Sequence, residues 1–182
     1  MQTLSHFLPF VNTKMRSAVP KATTVHKALR GTFLSPFGEW CLFNETRRDA
    51  EFAAMAALKM HVLVVTCAVV SNSAGTENRA FYPSALDWVT ERTPDDCIGS
   101  LIRAAEQHGI TEVHIGLQLS DGFMNASWRL DRQDGLRFLA KAGQQAIDVA
   151  RELHSRFGSS PVFKGMYDSN EINDVSWSTT HH

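Results

Sequence analysis

The chain is poor in cysteine, and the arrangement of the three that it has excludes two classes of protein. Cys41, Cys67 and Cys97 are an odd set without short spacing. This pattern argues against a disulfide framework and against a zinc site. Cys67 lies in an apolar run, where a free cysteine behaves as a small hydrophobe. We therefore expect a reducing compartment and a cytoplasmic protein.

Long apolar runs and strong catalytic signatures are also missing. The longest apolar run, residues 60–70, has about half of the roughly 20 residues that a membrane-spanning helix needs. No G-x-S-x-G, P-loop, G-x-G-x-x-G or H-E-x-x-H motif occurs, and these are the motifs that point to specific chemistry. From these absences we expect no membrane contact, no cofactor and no metal.

Acidic residues are absent from the first 38 positions, which hold five basic residues: Lys14, Arg16, Lys21, Lys27 and Arg30. Since the whole chain has a net charge of −1, the rest has −1 − 5 = −6. Such asymmetry indicates an anionic partner or an address signal. We predict that residues 1–38 form a basic arm that wraps a neighbouring subunit, binds nucleic acid or an acidic surface, or targets the protein to an organelle matrix.

Residues 113–130 contain the clearest structural signal: two predicted strands, each alternating apolar with polar residues, joined by Asp121-Gly122. Asp-Gly favours the two-residue turn that connects paired strands. In the register set by that turn, apolar residues face apolar residues, and polar residues or glycine face each other. The pattern predicts a hairpin with one core face and one polar face. The polar face holds Glu112, His114, Gln118, Asn125, Ser127 and Arg129.

The remaining elements follow from periodicity and capping residues. We predict helices at 46–59, capped by Asn44 or Thr46, at 93–109, capped by Thr93, and from 131 or 134 to 157. The stripe expected to be buried on the last helix includes Leu136 and Gly143, the glycine allowing close approach to the sheet. Strands are predicted at 39–43, 60–70 and 162–167. Residues 71–92 form a long polar connection, with a short helix at 84–90 as one option.

From residue 60 onward this gives the order strand, helix, strand, strand, helix, strand. That order is ferredoxin-like, βαββαβ, and it predicts an α+β two-layer sandwich from Met60 to Tyr167. The segment 39–59 would add an extra strand and helix. We accordingly divide the chain into the arm 1–38, a single α+β domain 39–167 and a polar, acidic tail 168–182.

Two groups of polar residues are candidates for chemistry. The polar hairpin face places His114 opposite Arg129, whose charge favours the neutral, proton-accepting imidazole. The long connection adds carboxylates beside an arginine and a tyrosine. As an enzyme the chain would use Glu77, Tyr82 and His114 as catalytic residues. The ligand would be held by Arg79, Gln118, Ser127 and Arg129.

The preferred hypothesis from the sequence is a non-catalytic α+β binding module that forms a homo-oligomer or docks into a larger assembly, with an anionic partner or ligand. The alternative is a small intracellular enzyme that acts on a polar or anionic metabolite by acid–base chemistry. Nucleic-acid binding through the sheet face is disfavoured, because that face offers no aromatic side chains for base stacking. The arm could still bind nucleic acid.

Overall fold

The computed structural model describes residues 29–36, 39–72, 76–93, 95–122 and 133–170, except for the side chain of Asp134. These residues form eight strands, three α-helices and one 3-10 helix. The strands are β1 (Gly31–Leu34), β2 (Val62–Val65), β3 (Val69–Ser71), β4 (Asn78–Ala80), β5 (Glu91–Arg92), β6 (Glu112–Gly116), β7 (Gln118–Ser120) and β8 (Phe163–Tyr167). The α-helices are α1 (Glu45–Ala57), α2 (Cys97–Gln107) and α3 (Gln133–Phe157), and the 3-10 helix is Glu39–Leu42.

The main sheet is parallel, so the ferredoxin-like α+β prediction is wrong and the fold is α/β. Its strand order is β1-β2-β6-β8, and every neighbouring pair is parallel. A helix lies between each strand and the next, and such crossovers return the chain in the same direction. The βαββαβ interpretation required 113–120 to be half of an antiparallel hairpin. Instead β6 and β7 pair in parallel with β2 and β3, and the second half of the predicted hairpin lies outside the described residues.

The two central strands continue beyond a kink into a second, smaller sheet. The predicted strand 60–70 is divided into β2 and β3, and the strand that begins at Glu112 is divided into β6 and β7 by Leu117. The Ala68 N–H donates to Gly116 O (2.7 Å) at this kink. The smaller sheet has the order β5-β4-β3-β7. Two of its strands come from the predicted connection 71–92, whose described part contains no helix.

The helices cover one face of the main sheet. On that face Leu63, Val65, Val113 and Ile115 are fully buried. They belong to one core with residues from all three helices, among them Phe52, Ile98, Leu101, Val149 and Leu153. The alternating residues of the same strands lie on the opposite face, which we call the open face. It contains Phe33, Val62, Val64, Glu112 and His114, and these side chains are partly or largely exposed.

Local signals at the first two helices are largely confirmed. Asn44 Oδ1 accepts from Arg47 N (2.9 Å) and caps α1. Helix α2 is capped by Asp96, whose Oδ1 accepts from Gly99 N (2.8 Å), and not by Thr93. It ends before Gly109, where a φ of +75° suits glycine. The predicted strand at 39–43 is wrong, because residues 39–42 form the 3-10 helix.

The long helix and the last strand are found close to their predicted bounds, but the buried stripe of α3 is only partly right. Its buried residues are Gly135, Ala142, Gln145, Val149, Leu153 and Phe157. Leu136 is instead 53% exposed. Nothing lies within 4 Å of the position that a Cβ would take at Gly143. The prediction of close packing at that glycine is therefore wrong.

Cys41 and Cys97 form a disulfide, with Cα atoms 5.4 Å apart. The sequence argued against a disulfide framework and did not predict this bond, because a separation of 56 residues leaves no local signature and only tertiary packing brings the pair together. Cys67 is free and buried. Since disulfides persist mainly in oxidising compartments, the cytoplasmic location expected from the cysteine count loses that support.

Two further findings concern the start of the described domain and the possibility of a membrane-spanning helix. Strand β1 lies within the predicted arm 1–38 and pairs with β2. None of the described helices has the length and apolar character to cross a membrane.

Candidate functional site

The carboxyl ends of β1, β2, β6 and β8 meet at one edge of the main sheet. In α/β proteins this edge carries ligand sites, because the connections that leave the strands there can bring varied side chains together. Here the strands are followed directly by small polar residues: Ser35 after β1, Thr66 after β2, and Asp168-Ser169-Asn170 after β8. This edge is therefore the first candidate for a ligand site.

Four residues form one row across the open face at this edge. The strand register pairs Leu34 with Val65, Val65 with Ile115, and Gly116 with Tyr167. Continued by one residue, it places Ser35, Thr66, Gly116 and Tyr167 side by side. Because side chains alternate along a strand, all four lie on the open face. Thr66 N donates to Leu34 O (2.8 Å), which ties this end of β2 to β1.

Position 116 requires glycine, because there is no space for a side chain at this point of the row. A Cβ at this position would collide with the carbonyl oxygen of Thr66 and with Oγ of Ser169. Backbone carbonyls cannot move aside as a flexible side chain can. The glycine therefore lets the segment after β8 fold against the end of β2.

The phenol of Tyr167 crosses this glycine and reaches β2. Its hydroxyl donates to two carbonyl oxygens, Thr66 O at 3.0 Å and Val65 O at 3.1 Å. Burial, and secondarily the nearby Cys67 thiol, raise the pKa of Tyr167. The phenol therefore stays protonated and holds β8 against the end of β2.

Three hydroxyl oxygens at the edge lie beneath the surface without an oxygen or nitrogen partner among the described residues: Ser35 Oγ, Thr66 Oγ1 and Ser169 Oγ. A buried polar group without a partner costs about 1–3 kcal/mol. Such groups are rare in native proteins, and each one points to a bound water, a ligand or a catalytic role. We refer to Ser35, Thr66, Tyr167 and Ser169 together as the hydroxyl row.

Asn170 fixes the segment that carries Ser169. Its Nδ2 donates to Gln118 O (3.0 Å), and its Oδ1 accepts from Ser120 N (3.1 Å). The backbone N–H of Asn170 also donates to Asp168 Oδ1 (3.0 Å). The segment after β8 is therefore held by the backbone of β7, which limits the movement of the Ser169 hydroxyl.

Beside this edge Cys67 is buried at the kink after β2. Burial raises the pKa of the Cys67 thiol to about 12, and the nearby Thr66 hydroxyl opposes the rise in part. A thiol with this pKa is protonated and unreactive at neutral pH. Cys67 is therefore a core residue.

Of the site residues predicted from the sequence, those that the structure describes do not form one site. Glu77 and Arg79 lie in the exposed hairpin of β3 and β4. Glu77 Oε2 accepts from Asn72 Nδ2 (3.3 Å). Arg79 Nε donates to Glu91 Oε2 (2.7 Å), in an exposed ion pair.

Tyr82 is fully buried on the helical side of the molecule. Its hydroxyl donates to Glu152 Oε2 (2.8 Å), and that carboxylate also accepts from Ser84 Oγ (2.7 Å) and Ala85 N (2.6 Å). Burial and the Glu152 carboxylate raise the pKa of Tyr82 far above its ordinary value. The group fastens the segment after β4 to α3.

His114 and Gln118 are also separated. His114 lies in the middle of the open face, with Nε2 3.6 Å from Glu112 Oε2. Gln118 is buried, and its Nε2 donates to Ser71 Oγ (2.6 Å) and Gln145 Oε1 (3.2 Å). Ser127 and Arg129 lie outside the described residues. Within the described part of the chain no group of three His, Cys, Asp or Glu residues could hold a metal ion.

Sequence reasoning missed the hydroxyl row. The available signal was a small polar residue directly after each of three apolar strands. That signal becomes informative only when the strands are known to be parallel, since parallel strands end at the same edge.

Comparisons with known proteins agree with the α/β fold. A family model described as a domain of unknown function, DUF4434, matches residues 29–182. The chain belongs to this family. No curated protein matches it. A crystal structure of a candidate alpha-L-fucosidase from Bacteroides thetaiotaomicron VPI-5482 is similar, with a TM-score of 0.60 and 18% identity. The similarity covers 80% of this chain and 42% of that one, so the chain spans less than half of that protein.

Proposed function

We propose that this member of the DUF4434 family binds an uncharged, hydroxyl-rich ligand of the carbohydrate class at the hydroxyl row. One observation carries the proposal: Ser35, Thr66 and Ser169 each present a buried hydroxyl without an oxygen or nitrogen partner among the described residues. A hydroxyl both donates and accepts, so the hydroxyls of a sugar are matched partners. Each hydrogen bond formed would remove a cost of about 1–3 kcal/mol.

The chemistry of the row favours a neutral ligand over the anionic one expected from the sequence. The row contains three aliphatic hydroxyls and a phenol, and none of these is a cation. Arg79, a proposed anion ligand, is neutralised by Glu91 of β5. An anion would have to lose hydration without gaining a charged partner, which is costly.

The similar structure supports the class of ligand. Its name describes a protein that acts on a fucoside, and its fold is shared over most of this chain. The name belongs to that protein, and this chain spans 42% of it. The shared fold therefore makes carbohydrates the first ligands to test.

The row suits binding better than hydrolysis. Most glycoside hydrolases use two carboxyl groups, one on each side of the scissile bond. The hydroxyl row holds none, and Asp168 beside it already accepts hydrogen bonds from Asn170 N and Nδ2 at Oδ1. The residues named for acid–base chemistry, Glu77, Tyr82 and His114, are dispersed. We therefore propose the non-catalytic binding module rather than the enzyme.

Saturation-transfer NMR with a panel of neutral monosaccharides and oligosaccharides, L-fucose included, tests the proposal. Calorimetry should then give the dissociation constant for the best ligand. Thr66→Val removes one hydroxyl at nearly constant volume and should weaken binding about tenfold, as expected for the loss of one hydrogen bond. Ser169→Ala should have a similar effect.

Thr111→Val is the matched control. Thr111 Oγ1 lies at the opposite end of the sheet, where it donates to His61 O (3.4 Å). This variant should bind like the wild type. The proposal fails if no neutral sugar binds the wild-type chain, or if Thr111→Val weakens binding as much as Thr66→Val does.

A further inference from the structure

We propose that Asn44 carries an N-linked glycan, which the chain acquires in an oxidising secretory compartment. The residues Asn44-Glu45-Thr46 match the acceptor sequence Asn-x-Ser/Thr, in which x is any residue except proline. Such a triplet often occurs by chance, and three structural observations distinguish this one. The modification is independent of the proposed function.

The disulfide between Cys41 and Cys97 is the first observation. Disulfides form and persist in oxidising environments, and the lumen of the endoplasmic reticulum is one of them. Eukaryotic cells attach N-linked glycans to secreted proteins in the same lumen. Cys41 precedes Asn44 by three residues. A chain that is oxidised in this lumen therefore presents its acceptor sequence to the glycosylating enzyme.

The surroundings of the Asn44 side chain are the second observation. Asn44 is exposed in the connection between the 3-10 helix and α1. Its Oδ1 accepts from Arg47 N (2.9 Å), as an N-cap residue should. Its Nδ2 is the atom that a glycan modifies, and it makes no hydrogen bond to another described residue. The oxygen therefore caps the helix, and the nitrogen is accessible for the sugar.

An uncovered apolar side chain beside the acceptor is the third observation. Leu42 is 84% exposed, more than any other large apolar side chain that the structure describes. It lies two residues before Asn44, and the intervening Phe43 is partly exposed, with the Arg47 guanidinium 3.6 Å from its ring centroid. N-linked glycans are bulky and solubilising. A glycan on Asn44 would therefore shield this apolar surface.

The attachment is a group transfer without oxidation or reduction. Asn44 Nδ2 forms a bond to the anomeric carbon of an oligosaccharide that is carried on a lipid diphosphate. The bond between that carbon and the diphosphate oxygen breaks, Nδ2 loses one proton, and the lipid diphosphate leaves. Because Oδ1 takes no part, it still accepts from Arg47 N. The cap of α1 is therefore compatible with the modification.

Peptide mass spectrometry of the full chain from its natural source tests the proposal. Enzymatic release of N-linked glycans in heavy-oxygen water should leave a labelled aspartate at position 44, and omission of the enzyme should leave no label. The site is identified on the peptide, because a second acceptor sequence begins at Asn125, outside the described residues. Alkylation of the same material without reduction should label neither Cys41 nor Cys97.

Variants of the full chain secreted from yeast cells separate the glycan from the helix cap. The wild type and the matched control Thr46→Ser keep the acceptor sequence, and both should carry the glycan. Asn44→Asp and Thr46→Ala should lose it completely at this site, although both retain a capping oxygen at position 44. After enzymatic deglycosylation all four chains should unfold at similar midpoints, so loss of the glycan is distinguished from loss of folding.

Three outcomes would overturn the proposal: an unmodified Asn44 in the natural protein, an unmodified Asn44 in the wild type secreted from yeast, or a glycan on the same peptide that persists in Thr46→Ala. An unmodified Asn44 together with an intact disulfide would mean that the chain is oxidised in a compartment without this transferase, such as a bacterial periplasm.

Discussion

Replacing both Cys41 and Cys97 by alanine should lower the free energy of unfolding by about 4 kcal/mol. The disulfide connects the 3-10 helix before α1 to the first turn of α2. Cys97 is 1% exposed, and it begins a helix that supplies much of the core. The bond therefore joins two parts of the chain that pack against each other only after folding.

The magnitude follows from the length of the loop that the bond closes. The two cysteines are 56 residues apart. In the chain-entropy account a cross-link over a loop of this length reduces the entropy of the unfolded chain by an amount worth about 4 kcal/mol at 25 °C. Typical domains are stable by about 5–15 kcal/mol. Loss of the bond would therefore remove a large share of the total.

Guanidinium unfolding followed by circular dichroism measures this effect. For a domain of this size the midpoint should fall by about 1 M, given the usual dependence of the free energy on denaturant. Wild-type protein in reductant should unfold close to the double variant, because both lack the same cross-link. Alkylation of denatured, non-reduced wild type should label Cys67 alone. Equal midpoints for the two chains without reductant, or alkylation of all three cysteines, would refute the reasoning.

Three other predictions concern the site, the core and pH. Gly116→Ala should lower the free energy of unfolding by about 1–3 kcal/mol and abolish ligand binding, because its methyl group collides with the end of β2 and with Ser169; an unchanged melting temperature would contradict this. Glu152→Gln should cost about 1–3 kcal/mol in chemical denaturation, because a donor replaces one of the two carboxylate oxygens that accept from Tyr82, Ser84 and Ala85; Tyr82→Phe leaves each of these oxygens with a donor and should cost less. The free energy of unfolding should also fall above pH 9, by about 1.4 kcal/mol per pH unit for a group whose pKa is higher in the folded chain than in the unfolded chain. Burial raises the pKa of the Cys67 thiol from 9.0 to about 12 in the folded chain, so the unfolded state ionises first; a curve that stays flat from pH 9 to pH 11 would exclude this linkage.

Much of the secondary structure could be predicted from the sequence, because its signals are local. Asn44 caps α1, Gly109 ends α2, and the apolar run before Thr66 forms a strand, although only one of its faces is buried. The hydrophobic pattern also identified the long helix α3 and the strand β8. Each of these signals acts over a few residues, so neither fold nor partner is needed to interpret it.

Local signals could not determine whether neighbouring strands run parallel or antiparallel. The alternation along Glu112–Gly116 specifies which side chains share a face, but it is compatible with parallel and antiparallel neighbours alike. The structure places β6 between β2 and β8 in a parallel sheet, where its core face packs under helices. The antiparallel interpretation therefore placed the polar candidates on one hairpin surface, whereas the structure leaves Glu112 and His114 on the open face and buries Gln118.

The sequence by itself determined the approximate bounds of the three helices and of β8, which residues are apolar enough for a core, and that Asn44 caps α1 and Gly109 follows the end of α2. Only the tertiary structure decided that Cys41 meets Cys97, that the strands are parallel, and that the hydroxyls after three of them converge at one edge. The physical reason is the distance along the chain over which each signal acts. Caps and periodicity depend on neighbours within one or two turns, whereas the disulfide and the hydroxyl row depend on contacts between residues far apart in the chain, which form when the core excludes water.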